Sequence, residues 1–335
     1  MKEYFRPILR SDSAKPKKAF YLAGQNLWFD QIEVLSRKKK PRIISVTNAS
    51  ELVLSALVKR RFSPVFNNYE RPLVMGILNL TPDSFSDGGT YFRPQSAFMA
   101  IKEMILQGVD IIDVGAESTR PGATFISETE ELTRIRPILQ TLEGRYEDVV
   151  FSVDTQKARV MQEALSAGFK MVNDVSALTF DKRSAEVVAL NDILVCLMHA
   201  NFDHSLDDKS TAYEDSLLDV YDFLEERVNF AVFSGISRDN IVIDPGIGFG
   251  KTLEDNLTII RNVSLFHSLG CPLLVGASRK GFIGKISKEK EALRRLPGSI
   301  AVALELFSQG VQIVRVHDIG ETKQALSLWN AVKSF

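Results

Sequence analysis

Charged and amide side chains recur at one kind of place in this sequence, the end of a short apolar run. Asn79 follows MGIL. Asp113 lies in VDIIDVGA, with Glu117-Ser118-Thr119-Arg120 just after it. Asp154 ends VVFSVD, Asn173 and Asp174 end FKMVND, and His199 ends ILVCLMH. Asp244 ends NIVID, Ser278-Arg279-Lys280 follow PLLVGA, and Arg315 and His317 stand in VQIVRVHD. Asp113, Asp154 and Asp244 are anionic and Asn173 adds an amide. Such groups suit a nitrogen heterocycle rich in N–H donors, held by charge-assisted hydrogen bonds. Arg120, Lys280, Arg315 and His317 suit phosphate or carboxylate. Arg315 and His317 are two apart, so on a strand they leave the same face. Together the groups describe a heterocycle carrying an anionic leaving group. A lone Asp at a strand end more often caps the next helix, but eight strand ends loaded this way call for a shared ligand. No His/Cys set has zinc spacing, and no Ser-His-Asp arrangement is evident.

The elements that must position these residues repeat. Eight apolar runs begin near residues 73, 109, 149, 169, 193, 240, 272 and 311. They are continuous rather than alternating, as expected of strands buried on both faces of a parallel sheet. Helical patterns over 96–108, 157–168, 217–235 and 299–310 fill gaps between them, and each ends in Gly, the residue suited to a left-handed C-cap. Count and spacing predict an α/β fold, a (β/α)8 TIM barrel, with an open doubly wound sheet as the alternative. In such a barrel the strand ends converge on one mouth. The loops over 79–94 and 115–127 read as lids above it. DPGIGFGKT (244–252) has Gly at 246, 248 and 250 but lacks P-loop spacing. It predicts a tight turn or a close backbone approach to a ligand, with Phe249 as a stacking face.

Residues 1–70 fall outside the repeat. They carry 14 Lys and Arg against 6 Asp and Glu, while the chain as a whole has a net charge of −1. This break predicts a small basic N-terminal extension or α/β module, 1–70, ahead of a barrel over 71–335. KAFYLA and RIISVT read as strands and 49–61 as an amphipathic helix. RKKK (37–40) reads as a solvated hairpin tip, so no nucleic-acid partner is expected. Cys196 and Cys271 sit in apolar runs and read as buried thiols in a reducing compartment. No signal peptide and no membrane-length apolar run is evident, so a soluble cytoplasmic protein is expected.

The motifs resemble a known family. MGILNLTPDSFSDGG (75–89) and IIDVGAESTRPGA (111–123) look like its first two signatures. SVDT, VNDV, LMH, DPGIGFGKTLEDN, GASRKGFIG and RVHDIGET follow in its order. The chain is identified on these as a member of the dihydropteroate synthases, over about residues 71–335. The resemblance implies that (7,8-dihydropterin-6-yl)methyl diphosphate condenses with 4-aminobenzoate. It implies that Asp113, Asp154, Asn173, Met198, Asp244, Gly276 and Lys280 hold the pterin. Asn79, Arg120, Arg315 and His317 would bind diphosphate, with Asn79 also at a Mg²⁺. Phe85, Thr119, Arg120, Pro121, Phe249 and Ser278 would shape the 4-aminobenzoate pocket, which sulfonamides occupy in the family. Asp113, Asp154, Lys280, Arg315 and His317 would carry catalysis, and a homodimer is implied. Ala116 stands where the family commonly has Gly, and Ala200–His204 departs from its usual fifth loop. Two other readings share these residues. A methyltetrahydrofolate methyltransferase-type barrel should lack the two long loops and the RVHD end, and a pterin-binding paralogue without catalysis would have lost charged site residues.

Overall fold

A computed structural model describes the chain apart from residues 64, 69–70, 81–93, 119–123, 143, 147–148, 202–212 and 335. The eight apolar runs form one parallel sheet. Its strands are Leu73–Asn79, Ile111–Gly115, Val150–Asp154, Met171–Asp174, Leu194–Met198, Ile241–Asp244, Leu274–Val275 and Ile313–Val316. Each pairs with its neighbours in sequence, and the eighth pairs with the first. A single bridge, Ile243 to Leu273, joins the sixth strand to the seventh and closes the barrel. Helices follow the strands, among them Pro94–Leu106, Ala158–Ser166, Ser216–Phe233 and Leu296–Ser308. The stop glycines behave as their positions require: Gly108, Gly168, Gly235 and Gly310 all have φ between +77° and +99°.

The alternation of a strand splits each run into an outer and an inner set. The outer residues pack under the helices as the main core. The inner residues of the lower barrel are Leu73, Met75, Ile111, Met171, Leu194, Cys196, Val242, Leu274 and Ile313. Val65 and Phe66, from the hairpin that precedes the first strand, pack against this inner layer and stop the barrel's lower end.

The first sixty residues build a core of their own from Leu22, Phe29, Ile32, Val46 and Leu57. A three-stranded antiparallel sheet places Gln31–Leu35 between Tyr4–Pro7 and Arg42–Ser45, and the helix Glu51–Val58 follows, capped by Ser50. Lys38, Lys39 and Lys40 are exposed at a hairpin tip. Arg37 instead turns back to Asp219 and Asp222, each at 2.7 Å. Tyr4 is buried, its ring edge-on to Tyr221 at 5.2 Å and its hydroxyl donating to Asp222 at 2.9 Å.

Tyr4 therefore fastens the N-terminal sheet to the helix Ser216–Phe233. Tyr4→Ala is expected to cost about 3–5 kcal/mol in chemical denaturation. Tyr4→Phe, which loses only the hydrogen bond, is expected to cost about 1 kcal/mol. A Tyr4→Ala protein as stable as its parent would show that the segment rests on the barrel without adding to it.

Candidate active site

The strand phase that supplies the apolar lower layer continues upward. On the second strand it runs Ile111, Asp113; on the third Val150, Ser152, Asp154; on the fourth Met171, Asn173. On the fifth it reaches Met198, on the sixth Asp244, on the seventh Gly276 and on the eighth Arg315. The upper interior is thus polar by the same two-residue rule that makes the lower interior apolar. Asp174 and His199 are out of phase with this set. Asp174 shapes its own turn, accepting from the Ser176 amide at 2.8 Å, the Ser176 hydroxyl at 2.7 Å and the Leu178 amide at 3.0 Å.

Arg315 bridges two carboxylates across the barrel. Its Nε donates to Asp113 Oδ2 at 2.6 Å and its Nη2 to Asp154 Oδ2 at 2.9 Å. Asn173 Nδ2 donates to the same Asp113 oxygen at 2.9 Å. Asp113 Oδ1 and Ser152 Oγ are buried without a partner among the described residues. Burial, then the charge of Asp113, pushes Asp154 up to about 7. Burial likewise pushes Asp244 up to about 6. Burial acts to lower Arg315, but Asp113 and Asp154 outweigh it and hold the guanidinium above its ordinary value. The arrangement can accept hydrogen bonds from a donor-rich ring and shift charge toward Arg315. Gly115 keeps this region open, because a Cβ there would stand 3.3 Å from Asp154 Cβ.

The loop after the sixth strand is folded onto the site by a residue the sequence did not single out. Lys251 Nζ contacts His199 Nδ1 at 2.9 Å and donates to Gly246 O at 2.9 Å, Phe249 O at 3.2 Å and His199 O at 3.3 Å. Burial lowers Lys251 to about 7, and burial with the Lys251 charge lowers His199 to about 3. Lys251 binds the loop's own carbonyls, so its partners explain the glycine-rich motif without a phosphate. Gly246, at φ +68°, must be glycine: a Cβ would meet His199 O at 1.8 Å. Gly246 N in turn donates to Asp244 Oδ1 at 2.7 Å, fixing that carboxylate. Lys280 reaches over this loop, donating to Ile247 O and lying 4.3 Å from the Phe249 ring centre.

At the rim, Ser278 Oγ accepts from His317 N at 3.2 Å and sits 3.1 Å from its Nδ1. Arg279, beside them, pairs with Asp318. Asn79 ends the first strand on the inner phase. Phe85, Thr119, Arg120 and Pro121 lie outside the described residues, as do most of the two lid loops and residues 202–204 of the fifth loop. Below the second loop, Lys157 Nζ contacts Glu117 at 2.9 Å and Glu131 at 2.6 Å, all three buried. The sequence pointed to Glu117 as a polar residue after the second strand but not to Lys157 or Glu131. The one signal of those two is Glu131 on the apolar face of its helix, beside Leu132 and Ile135.

A family model described as pterin binding enzyme matches residues 75–317. A dihydropteroate synthase from Clostridium beijerinckii is 41% identical over 271 residues, covering 81% of this chain and 97% of that protein. Among solved structures, Xanthomonas albilineans dihydropteroate synthase with 4-aminobenzoic acid superposes with a TM-score of 0.75 at 39% identity, over 80% of this chain and 95% of that one. A Yersinia pestis dihydropteroate synthase in a sulfonamide drug complex gives 0.72 at 40% identity, over 79% and 94%.

The raised carboxylates have a signed consequence for stability. A folded-state value of about 6 for Asp244 lies above the ordinary carboxylate range. The folded protein therefore keeps a proton that the unfolded chain has released. The stability this contributes is present at low pH and is lost as pH rises through about 6. Asp244→Asn has no such proton to lose. Its stability relative to the parent is expected to improve between pH 4.5 and 8 by on the order of 2 kcal/mol. Denaturant titrations at the two pH values check this; parallel pH dependence in both proteins would contradict the assignment.

Proposed function

The chain belongs to the dihydropteroate synthase family, and from that premise we propose how its residues divide the work. The reaction joins (7,8-dihydropterin-6-yl)methyl diphosphate to 4-aminobenzoate, giving 7,8-dihydropteroate and diphosphate. The C–O bond between the pterin methylene and diphosphate breaks, the arylamine nitrogen forms the new C–N bond, and that nitrogen loses a proton.

The observation that carries this reading is the buried Asp113–Arg315–Asp154 bridge with Asn173 and Asp244 beside it. Asp154, Asn173 and Asp244 accept from or donate to the pterin ring, with Met198 and Gly276 lining it. Donors on the ring stabilise the carboxylates as anions. Those anions compensate the positive charge that spreads over the dihydropterin as diphosphate departs. Arg315 has its Nε and Nη2 committed to the carboxylates. Its Nη1 is left to face the leaving group, with His317 two residues on. Lys280 lies against the pterin edge, while Phe249 and Ser278 wall the 4-aminobenzoate side together with Phe85, Thr119, Arg120 and Pro121. Sulfonamides are read as occupants of that side. Holding both substrates aligned supplies up to roughly 7–11 kcal/mol of the barrier reduction.

Magnesium fits the donor set in a limited way. Asn79 offers one hard amide oxygen at the mouth, and no group of three His, Cys, Asp or Glu lies together among the described residues. A cation sharing Asn79 with substrate phosphates matches the usual habit of Mg²⁺. When bound it would neutralise charge on the diphosphate.

We further read residues 1–61 as a module separate from the barrel. The hairpin at 62–68 belongs to the barrel it stops, so the boundary lies slightly ahead of the charge break near 70. A cytoplasmic homodimer without nucleic-acid partners remains our reading. Apolar side chains exposed at Ile286, Leu293, Leu328 and Val332 support a subunit contact on the barrel's side. No described helix is long and apolar enough to cross a membrane.

Diphosphate release is the direct assay: it should require 4-aminobenzoate as well as the pterin diphosphate. Arg315→Ala is expected to lower kcat about a hundredfold or more, the scale of removing one preorganised charge-stabilising donor. Normal turnover in that variant would remove Arg315 from the leaving-group role.

A further inference from the structure

A cleft of about 450 Å³ opens between the N-terminal segment and the barrel, lined by Leu52, Lys59, Arg61, Phe62, Arg238 and Leu269 among others. Arg238 precedes the sixth strand and residues 269–272 precede the seventh. The cleft therefore lies at the opposite end of the barrel from Asp113 and Asp154. Its volume falls within the range of small-molecule sites.

The charges in the cleft do not cancel. Arg61 is 4% exposed. Its Nη2 donates to Ala56 O at 2.7 Å and His267 O at 3.0 Å, and its Nε is buried with no partner among the described residues. Arg238 Nη1 donates to Leu269 O at 2.9 Å. Among the described residues, neither guanidinium has a carboxylate within ion-pair distance. Of the two carboxylates lining the cleft, Asp239 faces Lys59, a third cation of the same cleft, at 3.6 Å, and Glu225 faces Lys2 at 2.6 Å. Both guanidinium groups lie near Gly270. A Cβ on Gly270 would stand 3.8 Å from Arg238 Nη1 and 4.0 Å from Arg61 Nη1. Two like charges near one glycine, with no carboxylate paired to either among the described residues, leave a place for an anion at the cleft. Arginine forks match the paired oxygens of a phosphoryl group, and Phe62 and Leu269 give the same cleft an apolar wall.

We propose that this cleft is a second ligand site, for a small organic phosphate whose phosphoryl group lies between Arg61 and Arg238 and whose apolar body rests on Phe62 and Leu269. The site joins the N-terminal segment to the barrel, so its occupant tightens their contact.

Phenyl phosphate is a suitable probe, titrated by calorimetry into the full-length protein. Saturable binding is expected, at least tenfold weaker in Arg238→Met and in Arg61→Lys. Arg238 is on the surface, so its variant keeps the fold even if the buried Arg61 variant does not. Arg238→Met should retain synthase turnover within about twofold, and binding should persist in His317→Ala, which separates this cleft from the diphosphate end of the active site. Absence of saturable binding, or affinity unchanged in Arg238→Met, would overturn the proposal.

Discussion

Three charges sit inside a barrel whose lower half is filled with apolar side chains, and they must neutralise one another there. Asp113, Asp154 and Arg315 come from the second, third and eighth strands. Each charge removed from water would cost several kcal/mol alone. Arg315 meets that cost by spanning both carboxylates with two nitrogens of one planar fork. The bridge still carries an excess of negative charge, and Asp244 adds to it. Burial, then the charge of Asp113, drives Asp154 up, while burial alone drives Asp244 up against the nearby cations. The excess is what a ring rich in N–H donors relieves.

The rest of the molecule holds this cluster in place. Val65 and Phe66 pack against the apolar inner layer at the lower end, below the charges. Lys251 gathers carbonyls from the fifth and sixth loops and lets Gly246 present its amide to Asp244. Lys157 holds Glu117 and Glu131, and Glu117 in turn accepts from the Ile126 amide at 2.9 Å. In both places a buried lysine is held by several acceptors, Lys251 by backbone carbonyls and Lys157 by two carboxylates.

The placement of much of the candidate site was legible in the sequence because strand phase is a two-residue rule. Asp113, Asp154, Asn173, Met198, Asp244 and Arg315 all fall in phase with the apolar inner layer and all face the interior. The same rule, applied strictly, excludes Asp174 and His199, which the strand ends alone did not separate. The partnership of Arg315 with Asp113 was not readable, since residues 202 positions apart meet only once the barrel closes. Lys251 was hidden for a related reason: four acceptors drawn from two loops decide its burial. The packing of Val65 and Phe66 against the inner layer was not readable, because composition changes only near residue 70. The stop glycines were read correctly, as their positive φ depends on local geometry alone.

The central claim is that the buried carboxylates are held partly protonated and become anions when the pterin's donors arrive. Calorimetry of a pterin lacking its diphosphate, repeated at pH 6.5 in buffers of different ionisation enthalpy, measures that directly. The account predicts net proton release from the protein on binding, fading by pH 8.5, where Asp154 and Asp244 are already ionised. No proton release at pH 6.5, or proton uptake, would contradict it.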